Sequence, residues 1–307
     1  MYIKQALKIE NDWWLYIAGV ILITITIIIG SIPHGLALVS KVVSNPEQFE
    51  NLQDPYAMFG MLDSNLNLFL LLLPFVFGLF AVFFVVKNLH QQSILSLTTS
   101  RKQIDWSRIL FSFVLWGSFT LGLVAFEYFS NPQDYILNFK LIPFLILFCI
   151  AIVFIPLQTS LEEYLFRGYL MQGIGVLVKN RWFPLLISSI LFGLLHLANP
   201  EIDKLGKIIL VQYIGSGFLF GIMTLMDEGL ELSLGFHAAN NFILALFMTA
   251  DWTAFQTHSV IKLIAEPNPV GIEVFFPIVV IYPIVLYVFS KKYGWSNWKE
   301  KLFGDII

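Results

Sequence analysis

The stretch Leu161-Glu162-Glu163-Tyr164-Leu165-Phe166-Arg167-Gly168 places two carboxylates and a guanidinium in a region otherwise as apolar as a membrane span. A charged side chain at bilayer depth costs roughly 3 kcal/mol on insertion scales. Such groups therefore face the protein interior, pair with one another or mark a functional pathway. On a helix Glu163 and Arg167 are i and i+4, with the acid N-terminal, the favourable order for an ion pair. Glu162 lies about 100° around from Glu163, which leaves it free of Arg167. Taken alone, the stretch is also readable as a structural ion pair with a spare glutamate, the lesser of the two readings. Ser160-x-x-Glu163 also has the form of a capping box.

Two further polar signals are embedded in apolar sequence: Phe192-Gly193-Leu194-Leu195-His196, and His237-Ala238-Ala239-Asn240-Asn241. If the helices flanking Lys179-Asn180-Arg181 are antiparallel, Glu162 stands 18 residues before Asn180 and His196 stands 16 after it. At 1.5 Å per residue the two differ by about 3 Å in depth. A carboxylate and an imidazole can then face each other. His237 and Asn241 are i and i+4 and share a helix face, about 10 Å inside the helix start. Asn240 points elsewhere and reads as a packing or hydrogen-bonding residue. A glutamate in a water-limited cavity can take a proton from water. Histidine and asparagine can donate hydrogen bonds to a developing oxyanion. The chemistry is water-activated amide hydrolysis without a covalent intermediate, because no serine or cysteine nucleophile has an obvious helical partner. Two histidines and a glutamate are also a known zinc set. No His-Glu-x-x-His is present, so the expectation is no cofactor, with zinc as the alternative.

The elements that must position these groups are membrane helices. The chain has 307 residues, 57% of them hydrophobic and only 13% charged, against about a quarter charged in a soluble domain. This predicts an all-α polytopic bundle, one integral domain over 1–307, with the motif-bearing core at about 141–250. About eight spans are expected: 13–32, closed by Pro33-His34-Gly35; 68–86; 109–129; 141–157 with 160–178, broken or kinked near Pro156; 182–197; 208–226; 230–249; and 272–289. The 41–67 loop reads as a partly helical cap, His34 as a surface or interfacial residue, and 93–106 as an interfacial amphipathic helix. With the N-terminus inside, twelve basic residues fall on inside loops and five outside, and Arg167 completes the 18. The positive-inside rule then predicts both termini cytoplasmic. A net charge of −3 argues against a nucleic-acid partner. Cys149 is the sole cysteine, which excludes an intrachain disulfide.

The three motifs in order, Glu162-Glu163-x-x-x-Arg167, Phe192-x-x-x-His196 and His237-x-x-x-Asn241, resemble the CAAX-processing and bacteriocin-processing intramembrane proteases. This is the abortive-infection or type II CAAX protease family. The resemblance covers about 155–245. It implies Glu162 as general base, His196 as a second water-activating group, and His237 with Asn241 as the oxyanion site. Glu163 and Arg167 would be supporting residues, and Phe192 would line a substrate groove or pack. The implied partners are the lipid bilayer and a membrane-associated or lipidated peptide or protein substrate. The implied location is a bacterial inner membrane. The turn Met226-Asp227-Glu228-Gly229-Leu230-Glu231 is more acidic than the family pattern suggests, which would put negative charge near the cavity mouth. Two other classes use buried glutamates and histidines. One is a non-catalytic scaffold or bacteriocin-immunity protein with the same fold. The other is a proton-coupled transporter, against which the lack of inverted repeats weighs.

Overall fold

The computed structural model describes residues 2–306. Eight apolar helices run alternately up and down: α1 (Trp13–Ser44), α2 (Ser64–Asn88), α3 (Trp106–Ser130), α4 (Leu141–Val178), α5 (Trp182–Ala198), α6 (Lys207–Asp227), α7 (Glu231–Phe247) and α8 (Ile272–Tyr293). Among the described residues, all but α5 and α7 are long and apolar enough to cross a bilayer. The protein is an all-α, multi-pass integral membrane protein. A small sheet lies at one end, where β1 (Tyr135–Leu137) pairs antiparallel and β2 (Met248–Ala250) parallel with β3 (Ile261–Leu263).

Three local expectations differ from the structure. Helix α1 does not stop at Pro33-His34-Gly35 but continues through Pro33 to Ser44. A proline removes its own N–H from the ladder and crowds the carbonyl four residues before it, and the extension is tied to α2 where His34 Nε2 lies 2.8 Å from Asn67 Oδ1. Helix α4 is likewise unbroken at Pro156. Its irregularity comes later, where Tyr164–Leu170 is wound as a π-helix between two α-helical stretches. Such wider turns recur at functional sites, and this one holds Arg167. Of 93–106 only Ile94–Thr98 is helical before α3 begins. The following Arg101 is drawn into buried acids instead of lying along an interface. The 41–67 segment is partly helical as expected, with short helices at Pro46–Gln53 and Pro55–Gly60.

That recruitment of Arg101 organises the end of the bundle opposite the sheet. Arg101 bonds Asp227 Oδ2 at 2.8 Å and Glu231 Oε2 at 3.0 Å, and Arg108 bonds Asp227 Oδ1 at 2.5 Å. Trp295 Nε1 donates to the same Oδ1 at 2.9 Å. The acidic turn therefore does not present free charge at a cavity mouth. It is the anionic half of an ion-pair knot, with Asp227 and Glu231 buried. Both chain ends close on this knot. Tyr2 O–H donates to the Leu97 carbonyl, Lys301 Nζ to the Met226 carbonyl, and the Ile306 N–H to the Lys179 carbonyl. The termini thus share one end of the bundle, as an even number of crossings requires.

Small residues set the closest helix approaches. A Cβ at Gly235 on α7 would overlap the Ile109 carbonyl oxygen on α3. One at Gly217 on α6 would come within 2.7 Å of the Ser189 carbonyl oxygen on α5. These contacts bring α5, α6 and α7 close enough for α4's charged side chains to reach all three.

Removing Asp227 leaves Arg101 and Arg108 without their shared acid. Asp227→Ala is expected to lower stability by roughly 3 kcal/mol. Thermal unfolding of the purified protein in detergent measures this, with Asp203→Ala, exposed on the short helix Glu201–Leu205 before α6, as the neutral comparison.

Candidate active site

The motif carboxylates diverge as their 100° separation demands. Glu163 and Arg167 are both fully buried and pair at 3.1 Å. Glu163 Oε1 also accepts a hydrogen bond from His237 Nδ1 at 2.9 Å, across from α7. The guanidinium donates to the Gly217 carbonyl on α6 at 3.3 Å. It lies 4.1 Å over the Phe192 ring and 5.1 Å from that of Phe220. An arginine on an aromatic face in a desolvated site gains a cation–π attraction of about 2 kcal/mol. Phe192 is buried and edge-on to Phe166, and it serves as a platform for Arg167.

Because Nδ1–H of His237 is committed to Glu163, its Nε2 is the nitrogen that faces Glu162. It stands 3.4 Å from Glu162 Oε2. This is within ion-pair distance, but the direction is not that of a hydrogen bond, and the buried Oε2 has no hydrogen-bond partner. The imidazole ring is held by Phe220, stacked 4.9 Å away at 22°. Glu162 Oε1 is occupied: Gln158 Nε2 donates to it at 2.8 Å. Gln158 Oε1 in turn accepts from Asn241 Nδ2 at 3.0 Å. The structure therefore forms two hydrogen-bonded groups, Arg167–Glu163–His237 and Asn241–Gln158–Glu162, that meet at the 3.4 Å contact of His237 Nε2 with Glu162 Oε2.

His196 joins this group differently. Depth arithmetic sets it opposite Glu162, yet its hydrogen bond and ring contacts are with its own helix and with α6. Its Nδ1 donates to the Phe192 carbonyl at 2.9 Å and its ring stacks on Tyr213 at 4.1 Å. The last turn of α5, Leu195–Ala198, is a 3₁₀ helix, and its tighter winding sets that position. Glu162, His237 and Arg167 remain within electrostatic reach. With Nδ1–H engaged, Nε2 keeps its lone pair. Helix α5 ends within a turn of His196, while α4 continues roughly 30 Å beyond Glu162 towards the sheet end. His196 is half-buried and the Glu162 side chain 15% exposed, so both can be approached from outside the packed array.

Gln158, Phe220, Tyr213 and Trp116 are site neighbours that the motifs do not contain. Gln158 had a signal: it is polar in an apolar run and four residues before Glu162, hence on its helix face. Asn240 is the hydrogen-bonding residue expected, accepting from Trp116 Nε1 and donating to Asn241 Oδ1, both at 3.1 Å. Among the described residues no three His, Cys, Asp or Glu side chains converge as a ligand set.

Comparison with known proteins adds to this geometry. Residues 138–243, which include every motif side chain above, match the family model described as Type II CAAX prenyl endopeptidase Rce1-like. The motif-bearing core of the chain is thus similar to that family. It is also 29% identical over 293 residues to the "Uncharacterized protein YyaK" of Bacillus subtilis (strain 168), with 95% of each chain covered. No solved structure matches. The Rce1-like region begins just before α4 and ends within α7, so α1–α3 and α8 frame it.

Arg167→Met strands Glu163 as a buried, half-partnered carboxylate and should cost roughly 3–5 kcal/mol. Adding Glu163→Gln removes the stranded charge and should recover most of that loss. Thermal unfolding of the two single variants and the double variant measures the coupling.

Proposed function

We propose that this Rce1-like protein is an intramembrane endopeptidase that hydrolyses a peptide bond with a water activated by Glu162. The observation that carries this reading is the division of labour between adjacent glutamates. Glu163 is consumed by Arg167 and His237, whereas Glu162 has one oxygen hydrogen-bonded and the other facing the His237 Nε2 side. A carboxylate so held can act as a base: no guanidinium neutralises it, and its side chain is 15% exposed where that of Glu163 is fully buried.

Glu162 Oε2 takes a proton from water as the water oxygen bonds to the scissile carbonyl carbon. The Nε2 lone pair of the half-buried His196 accepts the water's other hydrogen and orients the attack. The carbonyl oxygen becomes an oxyanion, which takes a hydrogen bond from the second N–H of Asn241 Nδ2, each such donor being worth about 3–4 kcal/mol. His237, its Nδ1–H held by Glu163, serves here as proton carrier and not as the oxyanion donor the resemblance implies: the proton on Glu162 crosses to its Nε2 and then to the leaving amine, so that the C–N bond breaks with no covalent enzyme intermediate and no metal. The substrate is a peptide or protein segment at the membrane, lipidated or not, reached from the bilayer or its surface. By the asymmetry of basic residues, both termini face the cytoplasm, across an inner membrane.

Cleavage of a membrane-embedded peptide library by the purified protein, located by mass spectrometry, tests this. Glu162→Gln should lower the rate by at least roughly 100-fold with unfolding unchanged, and a chelator should leave wild-type cleavage intact. Equal cleavage by the variant excludes Glu162 as the base. Loss of cleavage only with chelator points to a metal. Retention by Glu162→Ala of a bacteriocin-immunity phenotype favours the non-catalytic scaffold.

A further inference from the structure

Gln158 is almost fully buried and lies between two groups assigned to the reaction. One of its amide atoms accepts from Asn241 and the other donates to Glu162. Carboxamide groups can be turned end for end, so the direction of such a bridge normally has to be inferred from its neighbours. Here the neighbours decide it. The bridge is part of a longer series, Trp116–Asn240–Asn241–Gln158–Glu162. An indole N–H can only donate, and an ionised carboxylate can only accept. With Trp116 at one end, Asn240 must present its oxygen to the indole and its amino group to Asn241. Asn241 must then present its amino group to Gln158, and Gln158 its amino group to Glu162. Both ends require the same orientation of all three amides.

We propose that Gln158 is a positioning residue of the hydrolytic site, and that its amide, oriented by Trp116, reserves Oε2 of Glu162 for the proton of water. The inference rests on the hydrolytic reading and deepens it. Oε1 is held by Gln158 in both protonation states. When Oε2 takes a proton, Oε1 becomes a carbonyl oxygen and still accepts the same hydrogen bond. The base is thus rotationally fixed throughout the reaction. The same amide takes one N–H of Asn241 and so aims the remaining N–H at the oxyanion. Base and oxyanion donor are set relative to each other through one side chain. The Trp116 ring is fixed in turn by stacking on Phe236, 4.0 Å away at 21°.

The test is Gln158→Met, similar in length and without hydrogen-bonding amide atoms, in the full-length protein. Two measurements are made. The first is the infrared difference spectrum between a protein and its own Glu162→Gln variant, which isolates the Glu162 carboxylate bands without any substrate. Gln158→Met should move the carboxylate stretch from its wild-type position. The second is kinetics on whichever peptide the wild type cleaves. The variant should lose roughly 10- to 100-fold in kcat, the worth of a hydrogen bond to a charged group, with KM within about twofold of wild type and thermal unfolding that remains cooperative. An unmoved carboxylate band overturns the proposal, as does a moved band with unchanged kcat. A wild-type protein that cleaves no peptide counts against the hydrolytic reading and not against the contact, which the infrared band decides by itself.

Discussion

The structure depends on one buried triad, Arg167–Glu163–His237. Taking a guanidinium and a carboxylate out of water costs several kcal/mol per ion even after relaxation. Pairing offsets that only where the remaining donors and acceptors are well placed. Here the offset is drawn from several helices: α4 supplies the ion pair, α7 the histidine, α6 the Gly217 carbonyl and Phe220, and α5 the Phe192 ring. The satisfaction is incomplete, since Arg167 Nε and Glu163 Oε2 have no hydrogen-bond partner. Loosening any of these helices would expose charges that have few alternatives at that depth. The close approach of α5 to α6 at Gly217 and of α3 to α7 at Gly235 is therefore a condition for the triad as well as a packing detail.

Glu162 gains its character from what Glu163 takes up. Consecutive residues on a helix point about 100° apart, so the neighbour of an ion-paired carboxylate faces a different set of helices. On that side the contacts are amides and an imidazole, which orient without neutralising. The triad fixes the ring of His237 from its Nδ1 side, and the amide series fixes Glu162 from its Oε1 side. The two atoms left, Nε2 and Oε2, are brought to 3.4 Å. The π-helical turn at Tyr164–Leu170 begins immediately after the two glutamates, where the chain passes from the reacting side to the packed side.

Much of this was legible in the sequence, for identifiable reasons. The i, i+4 spacing of Glu163 and Arg167 is enough to predict their ion pair, and apolar periodicity is enough to place the eight helices. The expected meeting of three motifs follows from helix rise alone. What rise cannot supply is rotation about each helix axis. Depth arithmetic set Glu162 beside His196, whereas the direct neighbour is His237, because the 3₁₀ turn at Leu195–Ala198 and the Phe192 carbonyl fix the His196 ring. Gln158 lay outside every motif although its spacing from Glu162 was visible. Pro33 suggested a helix end and Pro156 a break or kink, but the cost of an interior proline, about 3 kcal/mol, is offset in long apolar helices held by their neighbours. The acids of the 226–231 turn looked like a surface feature because their partners, Arg101 and Arg108, are more than a hundred residues away in the chain.

The most direct test of direct attack by Glu162-activated water, as opposed to a covalent acyl-enzyme, is partitioning of the reaction in ¹⁸O-labelled water containing hydroxylamine. A single turnover of a cleaved membrane peptide is analysed by mass spectrometry of the new C-terminus. Direct attack puts one ¹⁸O in that carboxylate and gives no hydroxamate at any hydroxylamine concentration. A hydroxamate product that grows with hydroxylamine would reveal an acyl-enzyme and contradict the role assigned to Glu162.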